Sequence, residues 1–146
     1  MKPDTLFQIC NAAAPLGWLL MAVAPRWKWT QKLVLSGLYP LLLGLVYLVI
    51  IVTTFGGSEG DFSSLAGVTA LFQNPWALTA GWIHYLAFDM FIGAWEVSDS
   101  QKHGVAHWKV IPCLFLTFLF GPIGLISYFL LRYIHTRKFY FGERVV

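Results

Sequence analysis

The sequence predicts an all-α membrane protein: a four-transmembrane-helix bundle with a short interfacial or re-entrant segment between helices 2 and 3. Three observations carry this. Charged residues make up 12% of the 146, against about one quarter in soluble globular chains. Hydrophobic residues reach 58% and the mean hydropathy is +0.65. Four apolar runs, 6–24, 33–55, 76–95 and 110–134, have the length of roughly 20 residues that a hydrocarbon core requires. The first two contain no Asp, Glu, Lys or Arg, and the fourth carries only Arg132. A soluble core helix imitates one such run; four in one chain point to a bilayer, and they make 1–146 a single integral membrane domain.

The first run is read as a retained helix. Ala22-Val23-Ala24 has the form of a signal-peptidase site, but Gln8, Asn11 and Pro15 interrupt the apolar stretch before it, and Pro25 would follow the cut. Pro25, Arg26 and Lys28 close this helix, and a cationic turn leads to the second. The polar glycine-rich stretch 56–61 ends that one, and 62–72 is apolar but too short to span. Asn74-Pro75 starts the third helix, with Asn as the cap and Pro at the first helical position. In the fourth, Gly121-Pro122 followed by Gly124 implies a bend that lets another backbone or a ligand come close. Cys10 and Cys113 lie in apolar runs and read as small buried hydrophobes. Trp18, Trp27, Trp29, Trp76, Trp95 and Trp108 near span ends read as interfacial anchors.

With four spans, one side carries Lys2, Arg132, Arg137, Lys138 and Arg144, and the other carries Arg26, Lys28, Lys32, Lys102 and Lys109. The Lys/Arg bias therefore ties and leaves the orientation open. A net charge of +3 without a basic stripe in a soluble module gives no case for nucleic acid. The short loops, with no transit peptide in view, suit a multi-pass protein of a bacterial inner or a thylakoid-type membrane.

The chemistry gathers on and just after the third helix. His84 and Asp89 fall inside the span, where ionisable groups are expensive and default to a functional hypothesis. Glu96, Asp99, His103 and His107 follow. On an ideal helix Asp89 and Glu96 share a face, whereas His84 points about 140° away from Asp89. Either His84 meets a different neighbour, or the two flank a cleft between helices. The competing account is that both are satisfied partners that fix packing. His103 and His107 share a face if their segment is helical, which makes His84, His107, Glu96 and His103 a candidate metal set. No H-E-x-x-H accompanies them, and four histidines are too few for the boxes of membrane di-iron enzymes. The cofactor is left open between a mononuclear iron and none. No glycine-rich phosphate loop or nucleophile elbow occurs.

Trp82-Ile83-His84-x-Leu86-Ala87-x-Asp89 resembles the pattern of the ABA4-like family, whose plant members are associated with neoxanthin synthesis. Asp99, His107, Pro112-Cys113-Leu114 and Phe120-Gly121-Pro122-Ile123-Gly124 extend the likeness over about 76–131. One departure is Ala94, where the family pattern carries an Arg after the Phe-x-Gly of the third helix. If that Arg pairs with a carboxylate in relatives, Asp89 or Glu96 lacks its partner here.

The resemblance implies a lipid-embedded step on a carotenoid or related isoprenoid, of the neoxanthin-synthase type. Such a step opens a 5,6-epoxide to an allene without net oxidation. It needs an acid for the epoxide oxygen and a base for the proton on C7. On this reading Asp89 is the acid and His84 the base. Asp99 and His107 complete the polar end of a groove, and Trp82, Tyr85, Phe88 and Phe91, with Phe115 and Phe118, line a slot for the polyene. A second reading is metal-dependent oxidative cleavage of a polyene through His84, His107 and a carboxylate. A third is a non-catalytic subunit that binds carotenoid within a pigment or biosynthetic complex. The expected partners are membrane lipid and a long apolar substrate, with a homodimer as one assembly.

Overall fold

Uncharged apolar sequence propagates as long helices, and the computed structural model, which describes residues 2–54 and 59–138, has no strand among them. Helix α1 spans Pro3–Val23, α2 Lys28–Thr30, α3 Leu38–Thr54, α4 Leu65–Phe72, α5 Pro75–Lys102, α6 His107–Phe120 and α7 Pro122–Thr136. A π-helical turn, Gln31–Leu35, leads from α2 towards α3. Two stretches, Pro3–Val23 and Lys28–Thr54, are long and apolar enough to cross a membrane. The glycines and serine of 56–58 lie outside the described residues.

Helix α5 is the axis, with α1, α3 and α6 packed along it. Its 28 residues rise about 42 Å. The start is the one the sequence signals: the Asn74 side chain accepts from the Trp76 amide at 2.8 Å and from Ala77 at 3.4 Å, with Pro75 first in the helix. The end is not, because the helix continues past Trp95 to Lys102. Glu96, Asp99 and Ser100 do not stop it, since all three are buried and hydrogen-bonded.

Helix α1 runs parallel to α5. The Trp82 indole donates to Asn11 at 3.1 Å, Trp18 lies on Gly93, and His107 bonds the Ala22 carbonyl at 2.9 Å. Helix α3 returns antiparallel, with the Tyr39 hydroxyl donating to Ala13 at 2.7 Å and Tyr47 edge-on to His84. Helix α4 is capped by Ser64, which accepts from the Gly67 amide at 3.0 Å. None of its residues is buried, and it leans on α5 where Phe72 meets Gly81.

The stretch expected as one span, 110–134, is two antiparallel helices. Helix α6 descends along α5 until the Tyr85 hydroxyl donates to the Phe118 carbonyl at 3.1 Å and Gly121 touches Asp89. Gly121 then takes φ 48° and ψ −94°, a conformation that disfavours side chains, and Pro122 opens α7 in the reverse direction. Helix α7 climbs back beside α6 and α5, so Tyr128 and Arg132 reach Asp99 and Trp95 packs on Tyr128 and Phe129. What reads as a bend is a complete reversal. The bundle therefore has an N-terminal end, where α1 and α5 begin and α4 sits, and a hairpin end, where α1, α5 and α7 finish.

Candidate functional site

The 140° between His84 and Asp89 sends them to different neighbours. His84 looks towards α3, its ring edge-on to Tyr47 at 5.5 Å and stacked on Phe88 at 4.5 Å. There it lines a cavity of about 640 Å³ between α3, α4 and α5, inside the range of small-molecule pockets. The walls are apolar, from Ile51, Leu71, Phe72 and Ala80, and Asp61 and Phe62 stand at the α4 side. Among the described lining residues, His84 supplies the imidazole and Asp61 the carboxylate. The Ser63 hydroxyl and amide both donate to Asp61, at 2.6 and 2.7 Å, and hold its carboxyl below the ordinary carboxylate range. The cavity is thus apolar-walled and open on one side, with the His84 imidazole on its α5 wall and the exposed Asp61 carboxylate at its rim.

The opposite face of α5 carries a stripe of acids against the hairpin. Asp89 lies on Gly121 beside the Tyr85 hydroxyl. Glu96, wholly buried, accepts from the Thr117 hydroxyl at 2.8 Å. One oxygen each of Asp89 and Glu96 is buried without a hydrogen-bond partner. Ala94, at the family's Arg position, is itself buried. Asp99 is fully engaged: it accepts from the Tyr128 hydroxyl and from Arg132 Nε, each at 2.7 Å, and His103 Nδ1 lies 3.3 Å from its other oxygen.

Asp89 and Glu96 thus share a face as their spacing implies, whereas His84 and Asp89 do not meet across one pocket. His107 is held apart from both, bonded to the end of α1. His103 and His107 do not share a helix face either, because His103 ends α5 and Gly104, at φ 70°, breaks the chain before α6. Among the described residues no three His, Cys, Asp or Glu side chains converge on a metal position. The set His84, His107, Glu96 and His103 is spread over separate surroundings. The aromatic residues divide as well. Trp82 packs on Phe7 and Tyr85, Phe118 on Trp18, Phe88 stays with His84, and Phe91 and Phe115 are exposed. Cys10 and Cys113 are buried free thiols.

Asp61, Thr117 and Tyr128 were not legible as site residues. Asp61 sits in a polar loop whose composition signals only flexibility, although Asp-x-Ser is a local capping pattern that orders it. Thr117 and Tyr128 acquire their partners 21 and 29 residues away, through a reversal that the sequence does not announce.

Residues 5–128 match a family described as ABA DEFICIENT 4-like. The chain is similar to Protein ABA DEFICIENT 4, chloroplastic, of Arabidopsis thaliana, 28% identical over 145 residues. The likeness covers 93% of this chain and 64% of that protein, so the chain spans a little under two thirds of its relative's length. No solved structure matches.

Proposed function

The chain belongs to the ABA4-like family, and from that premise we propose that it is a membrane-embedded protein acting on a carotenoid or related isoprenoid, whose cyclic end group enters the cavity between α3, α4 and α5. The observation that carries this is the placing of His84, from the family-like motif, on the wall of an apolar cavity of about 640 Å³. Side chains on the two remaining spans support embedding: Leu16, Leu19, Leu41, Val49 and Val52 are large, apolar and exposed, an arrangement that lipid tolerates and water does not. Helix α5 crosses alongside them with its acids turned to the hairpin. The bundle then has three crossings and a re-entrant hairpin, in place of the four crossings expected from hydropathy.

The chemistry proposed is isomerisation of an epoxide to an allene. A base takes the proton on C7, the C–H electrons become the new double bond between C6 and C7, and the C6–O bond breaks. The oxygen remains on C5 and takes a proton to become a hydroxyl. Atoms and electrons balance within the substrate, and the protein moves one proton off and one on. His84 is suited to this exchange because imidazole gives and accepts protons near neutrality. Asp61, its carboxylate held by Ser63, lines the same cavity.

Detergent-purified protein mixed with an epoxy-xanthophyll and followed by chromatography tests the reading. His84→Ala is expected to lower turnover by at least about 100-fold, the usual loss when a general acid–base group is removed. Asp89→Asn, on the other face of α5, is expected to retain turnover within a few-fold. The reverse pattern would move the chemistry to the hairpin face. Pigment that binds the wild type and returns unaltered would leave a binding role only.

A third substitution probes the cavity itself. A Cβ at Gly81 would stand 2.7 Å from the Phe72 ring, so Gly81→Val must displace that ring or fill the cavity. Pigment affinity is expected to fall about tenfold or more while helix content stays unchanged, read by titration and circular dichroism.

A further inference from the structure

The reversal at Gly121 redistributes charge between the two ends of the bundle. It returns the last described residues to the end where α5 finishes: Arg132 pairs with Asp99 there, and Arg137 and Lys138 follow directly. Arg26, Lys28 and Lys32, between α1 and α3, belong to the same end, as do Lys102 and Lys109, which flank the α5–α6 turn. At the N-terminal end, among the described residues, Lys2 stands alone beside Asp4, Glu59 and Asp61. The hairpin end exposes no carboxylate among the described residues, because Asp99 is buried and paired. Its rim carries Trp27, Trp29 and Trp108, all exposed, with Lys28 lying 5.9 Å from the Trp29 ring and Lys109 5.5 Å from that of Trp108. Indoles beside cations at one level form a collar suited to headgroup depth.

We infer that the hairpin end lies in the cytoplasmic leaflet and that the His84 cavity opens towards the opposite leaflet, so that the substrate's end group is taken from the side facing away from the cytoplasm. The inference rests on the membrane reading above. Its cause is the preference of Lys and Arg near span ends for the cytoplasmic side, where anionic headgroups and the membrane potential hold them. With four straight crossings the cations divide evenly and give no direction. With three crossings and a hairpin, nearly all of those among the described residues fall on one side. The cavity follows from the same frame. It is lined by Thr54, Gly60, Asp61 and Ala77, all at the N-terminal end, and His84 lies about 14 Å along α5 from Pro75.

Three variants of the full chain, each with one added cysteine, test this in a bacterial inner membrane: Glu59→Cys, Lys102→Cys and Arg137→Cys. All three positions are exposed, whereas the native Cys10 and Cys113 are buried, so the wild type serves as background. Intact spheroplasts are treated with a membrane-impermeant maleimide, then permeabilised and treated again. Glu59→Cys is expected to label in intact spheroplasts, and the other two only after permeabilisation. Lys102→Cys and Arg137→Cys on opposite sides would overturn the hairpin and the inference with it. Both labelled from outside, with Glu59→Cys protected, would overturn the orientation alone. All three on one side would overturn the membrane reading instead. Should a variant fail to accumulate, fusions at Lys138 decide: fluorescence from a green fluorescent protein fusion with an inactive alkaline phosphatase fusion is expected, and the opposite pair refutes the inference.

Discussion

Arg132→Met is expected to destabilise the protein by about 3–5 kcal/mol, read as a lowered unfolding temperature in detergent. Arg132 is 2% exposed, and its Nε donates to Asp99 Oδ2 at 2.7 Å. Removing the cation strands a buried carboxylate that only the Tyr128 hydroxyl and the His103 ring still face. The arginine also fixes the imidazole. His103 Nδ1 lies 2.9 Å from the Asp99 carbonyl oxygen, which only accepts, so Nδ1 carries the hydrogen. Nε2 then presents its lone pair to Arg132 Nη2 at 3.4 Å. Lysine at 132 keeps the charge but cannot serve both Asp99 and His103, and an intermediate loss follows. The double variant Asp99→Asn, Arg132→Met should recover much of the stability, because deleting both charges removes the stranded one. If Arg132→Met alone melts within about 1 kcal/mol of wild type, the pair does not hold α7 to α5.

How much of this was readable depends on which interactions are local. The start of α5 is local: Asn74 and Pro75 act on amides within three residues, and the helix begins where they place it. The rotation between His84 and Asp89 is likewise a property of one helix, and it survives folding. The end of α5 is not local. The apolar run ends at 95, just before Glu96 and Asp99, yet Thr117, Tyr128 and Arg132 come from the hairpin to receive these acids and the helix runs on. Hydropathy over 110–134 averages the same residues whether the chain runs straight or turns back, so a window cannot separate a span from a hairpin. Gly121-Pro122 marks the place without revealing the sign of φ. The candidate metal set is dispersed for a related reason: spacing puts His103 and His107 on one face only while the helix continues, and Gly104 ends that condition.

The glycine inside the hairpin should tolerate substitution least. A Cβ on Gly124 would run into the Thr117 backbone amide, Cα and hydroxyl, and backbone cannot swing aside as a side-chain tip does. Gly124→Ala therefore forces α6 and α7 apart, and the Thr117 hydroxyl that donates to Glu96 moves with α6. The cost exceeds ordinary overpacking of about 1–3 kcal/mol, since a buried carboxyl loses its donor as the helices part. Poor accumulation in the membrane, or an unfolding temperature lowered by more than in Arg132→Met, is the expected result. Gly121→Ala should be milder: its Cβ meets the Asp89 carboxylate at 2.9 Å, a side chain that yields, although φ 48° with ψ −94°, outside the left-handed helical region, adds backbone strain of about 1–3 kcal/mol. Gly44→Ala on α3 provides the control. Nothing lies within 4 Å of its Cβ, and helix propensity favours alanine by up to about 1 kcal/mol. A ranking of Gly44→Ala at or above wild type, then Gly121→Ala, then Gly124→Ala would track the closeness of the two arms. Wild-type stability in Gly124→Ala would mean that α6 and α7 are not folded against each other, and that the apolar stretch runs on as one span.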